Sequence, residues 1–191
     1  MFQESKNQIK RLLALLGLRN PALGKKNNLE EKVALILKYK TPAQHIFVET
    51  GTEFGIMIEK VESNFRKIYS IELDEELYKK ASSLFASKGH IQLFQGDSAT
   101  EIKKVLLLVD GPALFWLDAH GPGAMTVKNA LHCPALKELE AIFAHRVKGH
   151  VILIDDARHF DLESISALKS LANKNGFVFL VTNGIFVLYG K

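Results

Sequence analysis

Five short stretches of this 191-residue chain place acidic or basic side chains where they could do chemistry. The first is Glu49-Thr50-Gly51-Thr52-Glu53-Phe54-Gly55, in which Gly51 permits a sharp turn and close approach of the backbone to a ligand. Glu72 follows 21 residues after Gly51, where α/β nucleotide binders hold ribose hydroxyls with a carboxylate. Asp97, in Gly96-Asp97-Ser98, could accept a hydrogen bond from an adenine amino group. The dinucleotide fingerprint G-x-G-x-x-G is absent, and Glu53 at the helix start would repel a pyrophosphate. A ligand with a cationic portion suits Glu49 better. Each acid alone is more often a turn or cap residue; three at successive strand ends on one sheet edge favour a nucleoside pocket.

The remaining stretches are Asp118-Ala119-His120 and Asp155-Asp156-Ala157-Arg158-His159. Three carboxylates drawn together repel unless protonated or sharing a cation. All-oxygen ligands select a hard ion such as Mg²⁺. His120 and His159 are candidate general bases, because imidazole titrates near neutral pH. The plainer alternatives are that Asp155 caps a turn, that Asp156 pairs with Arg158, and that Asp118 serves the cofactor pocket alone.

These groups need elements to position them. Short apolar runs at Ile46-Phe47-Val48, Ile68 to Ile71, Ile91 to Phe94, Ala113 to Leu117 and Val151 to Ile154 alternate with helical stretches. That alternation predicts an α/β fold with a parallel sheet and helices on both faces. Ser98-Ala99-Thr100-Glu101 reads as a capping box starting a helix at Ser98. Pro134 suits the first position of a further helix, and Asp161 suits a cap. Phe177 to Thr182, Asn183-Gly184 and Ile185 to Tyr189 predict an antiparallel hairpin.

Composition sets the limits. The net charge of +4 is uneven: residues 1–40 hold nine Lys/Arg against three acids, and the remainder sixteen against eighteen. A basic lead, residues 1–44, with helical patterning is therefore expected ahead of one α/β domain, residues 45–191. No apolar run reaches the roughly 18 residues of a membrane span. Lys10-Arg11 followed by Leu12 to Leu18 imitates a targeting signal but is short and lacks a nearby cleavage site. The single cysteine, Cys133, excludes an intrachain disulfide and a cysteine zinc cluster, which suits a reducing, cytoplasmic setting.

The series Glu49-Thr50-Gly51, Ile71-Glu72, Gly96-Asp97-Ser98 and the terminal hairpin resembles the class I S-adenosylmethionine-dependent methyltransferases over residues 45–191. The resemblance implies a Rossmann-like, mostly parallel seven-stranded sheet closed by an antiparallel hairpin. It implies S-adenosylmethionine as cofactor, with Glu49 and Gly51 on the methionine part, Glu72 on ribose, and Asp97 with Ser98 at adenine. Glu53 replaces the usual middle glycine of the first loop. The strand ends at Asp118, Asp155 and Asp156 are similar to metal-dependent O-methyltransferases of the catechol and macrolide-sugar types. That likeness implies Mg²⁺ at those acids and a small-molecule or sugar hydroxyl as acceptor. Cys133-Pro134 with Glu138-Leu139, together with Leu-Asp-Ala-His and Ile-Asp-Asp-Ala-Arg, is similar to strings of a sparsely characterised methyltransferase-like subgroup.

The Asn/Asp-Pro-Pro-aromatic string used on exocyclic amino groups of bases is missing after the fourth run. Nucleic acid is therefore disfavoured as a partner despite the basic lead, although RNA ribose methylation and a homo-oligomer stay open. A non-catalytic module that binds S-adenosylmethionine is the alternative from another class. A dehydrogenase using NAD suffers from the missing phosphate fingerprint.

Overall fold

The computed structural model describes residues 27–118 and 133–190. Seven strands form one sheet: β1 (Ile46–Thr50), β2 (Lys67–Glu72), β3 (Ile91–Gln95), β4 (Ala113–Leu117), β5 (Val151–Ile154), β6 (Phe177–Thr182) and β7 (Ile185–Gly190). Their spatial order is 3-2-1-4-5-7-6, with β1 to β5 parallel and β7 inserted antiparallel between β5 and β6. Sequence order therefore reverses direction at β1 and β4, and their carboxyl ends open the crevice where α/β sheets bind ligands. The hairpin turns as expected, with Asn183 at φ 49° and Gly184 at φ 71°.

The six described helices are α1 (Leu29–Tyr39), α2 (Ile56–Val61), α3 (Glu75–Leu84), α4 (Ser98–Leu108), α5 (Pro134–Ala144) and α6 (Leu162–Lys174). The inner strands β1, β2, β4, β5 and β7 are buried on both faces because their side chains alternate between two cores, whereas the edge strands β3 and β6 are only partly covered. On one face Val48, Ile71, Phe115, Leu117 and Ile152 pack under α4, α5 and α6. On the other, Phe47, Ile68, Leu114, Trp116 and Leu153 pack under α1, α2 and α3. Helix α1 contributes Leu35 and Ile36 to that second core, so this part of the basic segment is built into the sheet's cover.

One helix start differs instructively from its sequence signal. The predicted capping box at Ser98 does not form. Asp97 caps α4 instead, accepting from the Ala99 amide at 3.2 Å. Burial decides this: Ser98 is 6% exposed, and Glu101 turns to Lys104 at 2.7 Å. A capping box does form at α1, where Asn28 and Glu31 exchange side-chain-to-backbone bonds at 2.9 and 3.3 Å. Pro134 opens α5 and Asp161 caps α6 through the Ser164 amide at 2.7 Å, both as predicted. Among the described residues, no helix is long and apolar enough to cross a membrane.

Candidate functional site

The loop from β1 to α2 is pinned to the neighbouring strand. The Gly51 amide donates to the Ile71 carbonyl at 2.9 Å, with Gly51 at φ 86°. Glu53 takes φ 49°, the left-handed conformation that a glycine would adopt without strain. Its amide donates to Glu72 Oε2 at 2.7 Å, a bond that stabilises this conformation despite the side chain. Gly55, at φ 73°, lies under Phe85, and a Cβ there would sit 2.6 Å from the ring.

Glu72 ends β2 and bridges two loops, its Oε2 holding the Glu53 amide and its Oε1 accepting from the Asp74 amide of the following turn at 2.9 Å. Glu49, near the end of β1 and 1% exposed, accepts from Ser70 Oγ at 2.7 Å; Ser70 Oγ lies 2.6 Å from Thr52 Oγ1. Burial pushes the Glu49 carboxyl up to about 8; the Ser70 bond works against this and the charge of Glu72 adds to it. Phe54 and Leu73, beside these acids in sequence, stay 57% and 69% exposed. Asp97 and Ser98 lie at the next strand end, where the Gly96 amide ties back to the Glu72 carbonyl at 2.9 Å. The structure thus sets Glu49, Gly51, Glu72, Asp97 and Ser98 along one edge of the sheet.

Glu138 appears in the sequence only as part of a recurring string, with no role assigned to it there. It sits on α5, 1% exposed, and burial pushes its carboxyl up to about 7. The Ser98 and Thr50 hydroxyls moderate that rise, yet neither Glu138 Oε1 nor Thr50 Oγ1 has a partner in hydrogen-bonding geometry among the described residues. The signal was a glutamate on the apolar stripe formed by Ala135, Leu139 and Ile142.

The second group stands at the ends of β4 and β5. Asp118 and Asp155 are brought together, and the ammonium of Lys32 from α1 lies against them. Lys32 Nζ pairs with Asp155 Oδ2, is 3.8 Å from Asp118 Oδ2, and lies 5.8 Å from the Trp116 ring centroid. Burial lowers the Lys32 pKa, but the charge and hydrogen bond of Asp155, then Asp118 and Asp156, more than offset that. Burial and the charge of Asp155 push Asp118 well above the usual carboxylate range, against the pull of Lys32. Asp155 Oδ1 accepts the Asp156 amide at 2.7 Å, a turn-capping bond. Asp156, at φ 50°, turns to the Arg158 guanidinium at 3.0 and 3.1 Å. His159 Nε2 accepts from Arg158 Nε at 3.0 Å, so its lone pair is engaged. His120 lies outside the described residues.

A divalent ion shared by Asp118, Asp155 and Asp156 does not fit this arrangement. The buried oxygen that would ligate it, Asp155 Oδ2, is covered by the Lys32 ammonium and has no other partner among the described residues. Asp156 is committed to Arg158, and no three His, Cys, Asp or Glu among the described residues converge as a metal group. The plainer sequence alternatives for Asp155 and Asp156 are the ones realised. A cavity of about 750 Å³, lined by Tyr39, Gln44, Phe143, Lys148, His150 and Tyr189 among others, contains none of the candidate residues. It opens at the amino-terminal edge of the sheet, away from the acids.

No protein-family model and no curated protein sequence matches the chain. Solved structures do. The chain is similar to CalS10, an amino pentose methyltransferase of Micromonospora echinaspora with S-adenosylmethionine bound, at 11% identity and a TM-score of 0.58 over 90% of this chain and 94% of that one. DesVI of Streptomyces venezuelae aligns at 11% identity with a TM-score of 0.59, covering 85% and 90%. A Staphylococcus aureus protein assigned as a caffeoyl-CoA O-methyltransferase aligns at 14% identity with a TM-score of 0.58, covering 95% and 90%. At such identities the likeness establishes the architecture. The fold is that of the class I S-adenosylmethionine-dependent methyltransferases, Rossmann-like with a closing antiparallel hairpin.

Proposed function

We propose that this protein is an S-adenosylmethionine-dependent methyltransferase acting on a hydroxyl group of a small molecule or sugar. One observation carries the reading. Glu49, Glu72 and Asp97 stand at three adjacent strand ends around the Gly51 loop, an acid-lined crevice suited to a cationic nucleoside. Glu49 and Gly51 would hold the methionine portion, Glu72 the ribose, and Asp97 with Ser98 the adenine. Asp118, at the end of β4, borders both halves of the crevice.

In the reaction the acceptor oxygen attacks the sulfonium methyl carbon in line. A carbon–oxygen bond forms, the sulfur–carbon bond breaks, and its electron pair stays on sulfur as the neutral thioether. The hydroxyl proton passes to a base, for which His120 and His159 are the candidates; His159 must first release Nε2 from Arg158. The chain's main contribution is alignment of the two reactants. No step runs through Mg²⁺, because the acids do not fit it. Small-molecule and sugar acceptors are favoured by the likeness to CalS10 and the Staphylococcus protein.

Calorimetry with S-adenosylhomocysteine, then transfer of labelled methyl to a panel of hydroxyl compounds in the presence of a chelator, tests this. Binding followed by turnover is expected. Absence of nucleoside binding refutes the cofactor assignment. Binding without turnover on any hydroxyl supports a non-catalytic module instead.

A further inference from the structure

The strand-end acids that suggested a metal already hold a cation supplied by the chain. Lys32 belongs to α1, whose amino end is fixed by the Asn28–Glu31 capping box and by the Asn27 side chain bonded to the Asn183 carbonyl of the β6–β7 turn. Ile36, one helical turn on, is fully buried in the sheet's second core. Lys32 and Ile36 therefore share a face, which points Lys32 at the ends of β4 and β5. Its ammonium meets Asp155, a carboxylate only 1% exposed, and lies near Asp118 and the face of Trp116. Arg158 neutralises Asp156. Two cations thus face three carboxyl groups without any added ion.

We propose that Lys32 is the resident cation of the acceptor side of the crevice, seated between Asp118 and Asp155 where a divalent ion would otherwise bind. Three N–H donors give the ammonium more hydrogen bonds than Asp155 and Asp118 use, and the Lys32 side chain keeps 21% of its surface exposed. The free donor is directed to an acceptor oxygen, which orients a hydroxyl or anionic oxygen without Lewis-acid chemistry. The name "acceptor side" rests on the methyl-transfer reading; the cation assignment does not.

The test uses the full chain and Mn²⁺, counted by electron paramagnetic resonance. Wild type is expected to take up no stoichiometric Mn²⁺ below about 1 mM. Lys32→Ala uncovers Asp118 and Asp155 and is expected to bind one equivalent at least about tenfold tighter than that. Lys32→Arg keeps a cation in place and should bind none. Wild type that binds one equivalent of Mn²⁺ at micromolar concentration overturns the proposal. So does a folded Lys32→Ala chain that binds none, since the acids then form no cation site. Removing one partner of a buried ion pair can unfold a protein, so thermal melting of Lys32→Ala with and without Mn²⁺ accompanies the count. Should that variant not fold, the wild-type and Lys32→Arg measurements still decide. S-adenosylhomocysteine binding, measured on the same wild-type sample, judges the methyltransferase reading separately.

Discussion

Replacing Glu49 with glutamine isolates a buried carboxyl of the crevice whose pKa burial raises to about 8. Glu49 is buried among apolar strand residues, with Ser70 Oγ as its hydrogen-bond donor, and its pKa rises from an ordinary 4.5 to about 8. Between those values the folded chain keeps a proton that the unfolded chain has released. Stability is therefore greatest at the acid end of this window and is lost as pH rises towards 8. The slope from this one group is about 1.4 kcal/mol per pH unit, so that about 3 kcal/mol disappears between pH 5.5 and 7.5. In Glu49→Gln the side chain is neutral throughout and can still accept from Ser70. Urea unfolding at a series of pH values should show the two proteins nearly equal at pH 5. The variant should then become progressively more stable than wild type, by about 3 kcal/mol at pH 7.5. The difference between the two profiles removes the contribution of other groups, including Glu138. Parallel profiles would refute the reasoning.

The same carboxyl links to ligand binding. A cationic amino group docked on Glu49 favours the carboxylate, so binding at pH 6.5 should release a proton. Calorimetry of S-adenosylhomocysteine in buffers of different ionisation enthalpy would read that proton in wild type and not in Glu49→Gln.

Two further perturbations test the scaffold. Gly55→Ala must adopt φ 73° with its Cβ 2.6 Å from the Phe85 ring, so a loss of about 2–4 kcal/mol is expected in urea titrations. Shrinking the ring in a Gly55→Ala/Phe85→Leu double variant should recover part of it; no recovery would place the cost in the backbone alone. His150 is held down to about 4 by burial, by His145 and by Lys148, with its Nδ1 accepting the Ala113 amide at 3.1 Å. Its imidazole stays neutral in the folded chain while the unfolded one protonates, so stability falls as pH drops from about 6.5 towards 4. NMR titration of the His150 ring should show no protonation at pH 5.5; a midpoint near 6.5 contradicts this.

The strand ends were legible because buried parallel strands write short, mostly apolar runs that end in or near an acid. The hairpin was legible because Asn183-Gly184 suits its positive φ angles. The cap at α4 falls one residue before its sequence signal because local signals at Asp97 and Ser98 compete, and burial of Ser98 settles them. Glu138 received no role from the sequence because a lone glutamate on an apolar stripe reveals nothing of the Ser98 and Thr50 hydroxyls across from it.

What the sequence alone determined is the order of elements and the identity of the acids at the carboxyl edge, since both follow from periodicity and local chemistry. What tertiary structure decided is how those acids are neutralised. Lys32 precedes Asp118 and Asp155 by long stretches of chain, and no spacing rule connects them. Only the packing of α1 on the far core brings its ammonium to the place where three carboxylates had suggested a metal.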